Sequence, residues 1–201
     1  MATTRENKTI SNFKAALIGG GARPNLFEVE LTTLPAGITW DADNFRYMCK
    51  AAQLPASNIA NIDVPFRGRI FKVAGDRTVE QWSVTIINDE NFRLRNAFEE
   101  WVNLIANLDT NFGATDPSAY MVNAKVYQLG RGSTPQSTTN AGNANSVLKE
   151  YEFQDIFPTT VSAIDLSYDS TDAIEEFTVE MQYQWYDTMD PLAQTQVGTG
   201  V

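Results

Sequence analysis

Pairs of carboxylates are the side chains of this sequence that come closest to a catalytic arrangement. They occur at Asp89/Glu90, Glu99/Glu100 and Glu175/Glu176, and two carboxyl groups can act together as general acid and general base. Adjacent residues point about 100° apart on a helix and to opposite faces of a strand, so none of these pairs converges on one substrate bond. A pair formed by carboxylates distant in sequence stays open at this stage.

The residue types that most enzymes and metal sites rely on are missing. The sequence has no histidine and a single cysteine, Cys49. Ser-His-Asp and Cys-His mechanisms are thereby excluded, and one cysteine cannot form a structural zinc site. Asp165, Asp169 and Asp172 lack the glycine and glutamate of a calcium loop in the required places. We therefore expect no catalytic residue, no metal and no cofactor, and for Cys49 a buried structural position in a strand.

Four basic residues cluster in a chain that is otherwise acidic. Arg67, Arg69, Lys72 and Arg77 lie close in a sequence with a formal net charge of −10 and a pI of about 4.4. Binding of nucleic acid would need more cations, interleaved with exposed aromatic side chains. A contact with an acidic patch on a neighbouring copy of the chain is favoured, and a solvated surface is the alternative.

Alternation of apolar and polar residues predicts a mainly β chain from residue 25 onward. The predicted strands are 25–31, 45–51, 59–64, 68–73, 80–87, 120–129, 148–157, 160–168 and 176–186. In the last of them, the apolar face is formed by Phe177, Val179, Met181, Tyr183 and Trp185. A turn at 74–77 is expected to join strands 68–73 and 80–87 as a pair.

One long helix is predicted over 91–108, because its apolar residues repeat every three or four positions. Those residues are Leu94, Phe98, Trp101, Ile105 and Leu108. A short helix over 12–18, capped by Ser11, lies in an N-terminal arm of residues 1–24, which we expect to be flexible. The β domain spans 25–186, with a polar surface-loop insertion at 130–146, and a polar tail follows at 187–201. No apolar run approaches the about 20 residues that a membrane span needs.

Short segments spread along the chain occur in the order found in one protein family. They are 22–27 (ARPNLF), 49–51 (CKA) with Leu54-Pro55, 73–78 (VAGDRT), 82–90 (WSVTIINDE), Phe98 with Trp101, 157–159 (FPT) and 176–179 (EFTV). Together they resemble the tail tube protein of contractile-tailed bacteriophages. No single segment is decisive, but the ordered series covers most of residues 22–186.

The resemblance implies a β-sandwich or barrel with one long flanking helix, which forms hexameric rings that stack into a hollow tube. The implied partners are other copies of the chain and the sheath, baseplate, tape-measure and tail terminator proteins. DNA would pass through the lumen without specific binding. The implied location is the virion tail, after assembly in the host cytoplasm.

Two sets of residues are expected to carry this function. Ring stacking or subunit contact is assigned to the bent, basic segment with Pro65, Phe66, Arg67, Gly68, Arg69, Lys72 and Arg77. A polar, acidic lumen wall is assigned to the face with Glu176, Glu180, Gln182 and Gln184, or to the face with Glu150, Glu152 and Gln154. An outward solvated face has the same pattern.

Two other functions stay open from sequence. One is the inner-tube protein of a bacterial contractile secretion or injection system, which shares the tube architecture. The other is a monomeric β-sandwich binding module that would use exposed aromatic side chains. Against the second, Trp82, Trp101 and Trp185 are predicted on apolar faces, and only Trp40 is predicted in a loop.

Overall fold

The computed structural model describes residues 9–17, 20–131 and 147–189. The predicted insertion and tail therefore lie largely outside the described residues, as do residues 1–8 of the predicted arm. The chain divides into two compact units. One comprises Met1–Phe27, Tyr127–Glu150 and Asp190–Val201, and the other comprises Glu28–Val126 and Tyr151–Met189.

The described residues form three α-helices and nine strands, in keeping with the predicted mainly β class. The helices are α1 (Ile10–Ala16), α2 (Ala42–Met48) and α3 (Arg93–Ile105). The strands are β1 (Phe27–Glu30), β2 (Cys49–Ala52), β3 (Asn58–Phe66), β4 (Arg69–Thr78), β5 (Trp82–Ile87), β6 (Val122–Leu129), β7 (Val147–Val161), β8 (Glu176–Gln182) and β9 (Trp185–Met189). Among the described residues, no helix combines the length and apolarity needed to span a bilayer.

Seven strands form one sheet in the order β1-β6-β7-β8-β5-β2, with β9 also paired to β7. Strands β3 and β4 form a separate two-stranded sheet. Arg46 of α2, the helix that leads directly into edge strand β2, contacts Glu28 and Glu30 of the other edge strand, β1, at 2.8 and 3.4 Å. The two edges of the large sheet thus approach each other, as in a barrel.

The core lies on one face of the large sheet, where every second residue of β5 and β8 is buried. The two strands are antiparallel, with Val84 opposite Val179 and Ile86 opposite Phe177. Residues directly opposite each other share a sheet face, so these side chains pack together. Each large apolar side chain that is fully buried stabilises the fold by about 1.5–3 kcal/mol.

Helix α3 covers this core with the predicted stripe. Leu94, Phe98 and Trp101 are buried, and the Phe98 ring lies 5.6 Å from that of Trp40 and 6.4 Å from that of Phe177. The helix is shorter than the predicted 91–108, so Leu108 falls beyond its end and is 91% exposed. The prediction that Leu108 belongs to the stripe was wrong, because the helical period stops at Ile105.

The predicted strand 45–51 is wrong, since most of it is helix α2. Asp41 caps this helix, because its Oδ1 accepts a hydrogen bond from the backbone N–H of Asn44 at 3.1 Å. Phe45 is fully buried against Trp40, with ring centroids 5.1 Å apart. The short apolar alternation of this segment is compatible with a strand or a helix. The N-cap and the one buried aromatic side chain favour the helix. Cys49 begins β2 and is half-buried, and burial raises the pKa of its thiol to about 12.

Two other predicted strands end earlier than the sequence suggested. Strand β7 stops at Val161, so most of the predicted strand 160–168 is irregular chain. The predicted strand 176–186 is two strands, β8 and β9, with a break at Tyr183-Gln184. Because of that break, Trp185 does not share the apolar face of Phe177 and is 50% exposed, which corrects its predicted placement.

The predicted turn at 74–77 is also wrong, because these residues lie inside β4. Strand β5 pairs with β8 and β2 instead of with the strand before it. Gly75 marks an irregularity in the β3–β4 register, where a Cβ atom would come within 3.1 Å of the Ala60 carbonyl oxygen. The glycine thus permits a bulge in a continuous strand, where the sequence indicated a turn.

In the unit that contains the N-terminal residues, Thr9 caps α1, because its hydroxyl oxygen accepts a hydrogen bond from the backbone N–H of Asn12 at 3.3 Å. The prediction that Ser11 is the cap was wrong. The chain after α1 is held by Gln128. Its side-chain amide donates to the carbonyl oxygens of Arg23 and Leu26 at 2.8 and 2.7 Å.

Candidate assembly interface

The hairpin formed by β3 and β4 ends in a two-residue turn at Arg67-Gly68. Both residues have positive φ, 45° and 79°, as in the type I′ turn that matches the twist of paired strands. Phe66 stands opposite Arg69, and Pro65 stands opposite Ile70 within the ladder. The structure therefore brings the predicted interface residues 65–69 together at the tip of the hairpin.

One face of this hairpin is apolar and exposed along its length. We call it the apolar ribbon face; it consists of Ile62, Val64, Phe66, Phe71 and Val73. Ile62 lies opposite Val73, and Val64 lies opposite Phe71. Phe66 and Phe71 are each 66% exposed. The alternation of apolar and polar residues predicted strands at 59–64 and 68–73, but it did not indicate that their apolar side would face solvent.

An exposed apolar face on a two-stranded hairpin is unusual. An isolated hairpin is only marginally stable, and it normally packs its apolar side against a third element. Nearly all residues of β3 and β4 are exposed in the single chain, Gly75 being the half-buried exception. Contiguous exposed apolar surface generally marks a site of contact with another molecule. The hairpin is therefore the strongest candidate for a contact with another chain.

The basic residues of the hairpin have different surroundings. Arg67 lies 5.5 Å from the Phe66 ring, and within the described part of the chain neither Arg67 nor Arg69 forms an ion pair. Lys72 lies opposite Asp63 on the other ribbon face, with Nζ 3.4 Å from Oδ1. Such an exposed pair adds little stability. The tip thus presents two cations that are available to a partner.

Arg77 is separated from this tip group. It lies at the base of the hairpin, opposite Ile59. Its Nη2 donates to the Tyr186 hydroxyl at 2.8 Å, and its guanidinium carbon lies 5.1 Å from the centre of the Tyr186 ring. The seven predicted interface residues therefore do not form one surface.

Most residues of the two alternative lumen faces lie on one face in the structure. Strands β7 and β8 are neighbours, and Phe157 lies opposite Gln182. Along β7, a left-handed residue, Asp155 with φ 55°, shifts the alternation, so that Phe153 and Ile156 are both buried. Glu152 and Gln154 therefore lie on the same non-core side as Glu176, Glu180 and Gln182, and we call this the polar sheet face. Gln184 follows β8, and its backbone N–H donates to the backbone carbonyl oxygen of Gln154 at 3.1 Å. Glu150, earlier in β7, belongs to the other compact unit.

Lysines neutralise part of the polar sheet face. Lys50 forms an ion pair with Glu176, and Lys125 Nζ lies 3.7 Å from Glu152 Oε2. Thr85 and Thr178, which lie opposite each other on this face, share a hydrogen bond of 3.2 Å between their hydroxyl groups. The cations of this face are thus occupied by carboxylates of the same chain.

Comparison with known proteins identifies the family. The family model of phage tail tube proteins matches residues 22–189. The tail tube protein gp19 of Enterobacteria phage T4 is 34% identical over 169 residues, which cover 84% of this chain and 93% of that protein. The tail tube protein of Serratia phage KSP90 is 25% identical over 179 residues, which cover 87% of this chain and 94% of that protein.

Solved structures show the same fold at low identity. A chain of the anti-feeding prophage baseplate, determined by cryo-EM with sixfold symmetry, matches with a TM-score of 0.59 at 11% identity and covers 85% of this chain and 96% of its own. A chain of the anti-feeding prophage tube-terminating cap matches with a TM-score of 0.54 at 16% identity and covers 94% of this chain and 99% of its own. At such identity the match concerns the fold alone, whereas the sequence matches are to phage proteins. The chain belongs to the phage tail tube protein family.

Proposed function

We propose that this chain forms the inner tail tube of a contractile phage tail as stacked hexameric rings, and that the tube is the conduit for DNA ejection. The observation that carries the proposal is the exposed apolar ribbon face, which a single chain leaves uncovered. The relatives named tail tube proteins and the sixfold symmetry of the related baseplate structure support it.

We assign contact between copies to the hairpin. Its apolar ribbon face supplies area that association would remove from water. Its tip adds Arg67 and Arg69, whose guanidinium groups suit bidentate contact with carboxylates. The chain as a whole carries a net charge of −10, so another copy offers the carboxylates that the tip would meet.

We assign the lumen wall to the polar sheet face. A wall that binds phosphate would release counterions and retain DNA. Here Lys50 and Lys125 are engaged by glutamates, and Glu180 adds a further negative charge beside them. Such a surface repels phosphate weakly, and the two lysines described on it are paired with glutamates, which suits passage of DNA without specific binding.

The remaining assignments follow from this function. The sheath, baseplate, tape-measure and tail terminator proteins are the proposed partners, and the related structures of a baseplate and a terminating cap support two of them. We propose a structural and not an enzymatic role, which the family match and the relatives named tail tube proteins support. We keep residues 25–186 as the tube domain and propose that it assembles in the host cytoplasm and functions in the virion tail.

The double substitution Arg67→Glu with Arg69→Glu tests this proposal. It reverses the charge of the hairpin tip, where both residues are exposed and make no contact with the core, so the fold should persist while polymerisation stops. Negative-stain micrographs of the purified chain, with and without the baseplate of the same phage, would show hollow tubes for the unsubstituted chain and none for the variant. Circular dichroism checks the fold.

Arg67→Lys with Arg69→Lys is the matched control, because it retains both charges and should retain assembly. Normal tubes from the glutamate variant would refute the role of the tip. An unsubstituted chain that stays a single particle at every concentration and with the baseplate present would instead favour a monomeric binding module.

A further inference from the structure

The base of the hairpin is joined to the large sheet by a contact between Arg77 and Tyr186. The Arg77 guanidinium donates to the tyrosine hydroxyl at 2.8 Å and lies 5.1 Å from the centre of its ring. One planar cation thus makes a charge-assisted hydrogen bond and a cation–π contact with one side chain. Arg77 is in β4 and Tyr186 is in β9, so the contact joins two separate sheets.

Tyr186 is itself fixed by the core. Its ring lies 6.3 Å from Phe153 and 6.2 Å from Tyr183, both of which are buried. Phe153 in turn stacks on Trp82 at 4.5 Å. Arg77 is therefore connected to the buried aromatic side chains of the core through a series of ring contacts.

Strand β3, the first strand of the hairpin, is also held at the base of the hairpin. Asn58, the first residue of β3, donates a hydrogen bond from its side-chain amide to Glu80, which precedes β5. The register irregularity at Gly75 lies two residues before Arg77 in β4, on the side of the hairpin tip. Because bulges bend a strand locally, this is the place where the hairpin would pivot if the base were released.

We propose that Arg77 is a positioning residue, which with Tyr186 fixes the angle at which the hairpin leaves the sheet, and that it is not itself a contact with the neighbouring copy. This inference rests on the proposed function, since the angle matters only if the hairpin docks on another chain. Arg69 is eight residues from Arg77, or about 26 Å at the rise of a strand. A rotation of about 10° at the base moves the tip by about 5 Å, which is the spacing between paired strands.

Substitutions on both sides of the contact test this. Arg77→Ala and Tyr186→Leu should each raise the concentration needed for polymerisation about tenfold, as loss of a charge-assisted hydrogen bond with a cation–π contact predicts. The double variant should be no worse than either single one, because both remove the same contact. Tyr186→Phe keeps the ring and should lie between the unsubstituted chain and Tyr186→Leu. Arg93→Ala removes an exposed cation that lies outside the hairpin and should assemble normally.

The outcomes separate this inference from the proposed function. If Arg77 touches the neighbouring copy directly, Arg77→Ala will impair assembly while Tyr186→Leu and Tyr186→Phe assemble normally, and the positioning role is overturned. Normal assembly of all three variants overturns it as well. If the Arg67→Glu, Arg69→Glu variant also assembles normally, the docking role of the hairpin itself has failed. Unchanged melting temperatures of Tyr186→Phe and Arg77→Ala exclude unfolding as the cause.

Discussion

At the scale of single residues, the lysines of the polar sheet face are as informative as its carboxylates. Lys50 reaches across β5 to Glu176 of β8, and Lys125 lies against Glu152 of the neighbouring strand β7, so their charge is satisfied before any phosphate approaches. The sequence showed that Glu176 and Glu180 alternate with apolar residues. It could not show that Glu152 shares their face, because that depends on strand pairing and on the left-handed Asp155, which no local pattern marks.

Charge reversal on this face should slow DNA ejection. Glu152→Lys with Glu180→Lys adds two cations to every copy and removes the partner of Lys125, so the lumen would attract phosphate. DNA release from assembled tails, followed by a fluorescent dye, should be slower and should recover as salt is raised. The pair Glu90→Lys with Glu100→Lys makes the same charge change at exposed sites off this face and should leave the rate unaltered. Normal ejection from well-formed tails of the first variant would exclude this face as the lumen wall.

At the scale of elements, the helices and strands with long periodic patterns of apolar residues were predicted correctly, and those with short patterns were not. Strands β5 and β8 and helix α3 were predicted because long runs alternate or repeat with one period over a core. The segment that contains Phe45 was not, since a short run with one buried aromatic fits a strand or a helix equally well. The hairpin was half predicted: Gly68 indicated a bend, but Gly75 suggested a second turn where the structure has only a bulge.

The two faces of the hairpin should differ in their effect on assembly. Phe71 and Ile70 are adjacent in β4 and similarly exposed, at 66% and 64%, but they point to opposite faces. Phe71→Ser should therefore prevent polymerisation, because it removes the centre of the apolar ribbon face, whereas Ile70→Ser should have a much smaller effect. Neither should lower the melting temperature of the free chain, since both side chains already contact water. Light scattering against concentration measures the difference, and equal effects of the two variants would contradict the assignment of one docking face.

At the scale of the whole molecule, the chain combines one complete core with one element that has none. The core of the large sheet is closed by α3, and its polar face carries satisfied ion pairs. Within the described part of the chain, nothing covers the hairpin: its apolar side chains are exposed, and its base is held by Arg77 and Tyr186. Sequence patterns predict that residues alternate, but they cannot tell whether an apolar face is covered by the same chain or by another copy.

Hydrogen–deuterium exchange of the hairpin in the free chain and in the assembled tube tests the central claim most directly. The Arg67→Glu, Arg69→Glu variant provides a free chain under the same conditions, and peptides from β5 provide an internal reference that should not change. Burial of the apolar ribbon face by identical copies predicts that amides of β3 and β4 exchange at least about tenfold more slowly in the tube, because opening them would require loss of the intersubunit contact. A tube in which the hairpin exchanges as fast as in the free chain would contradict the account.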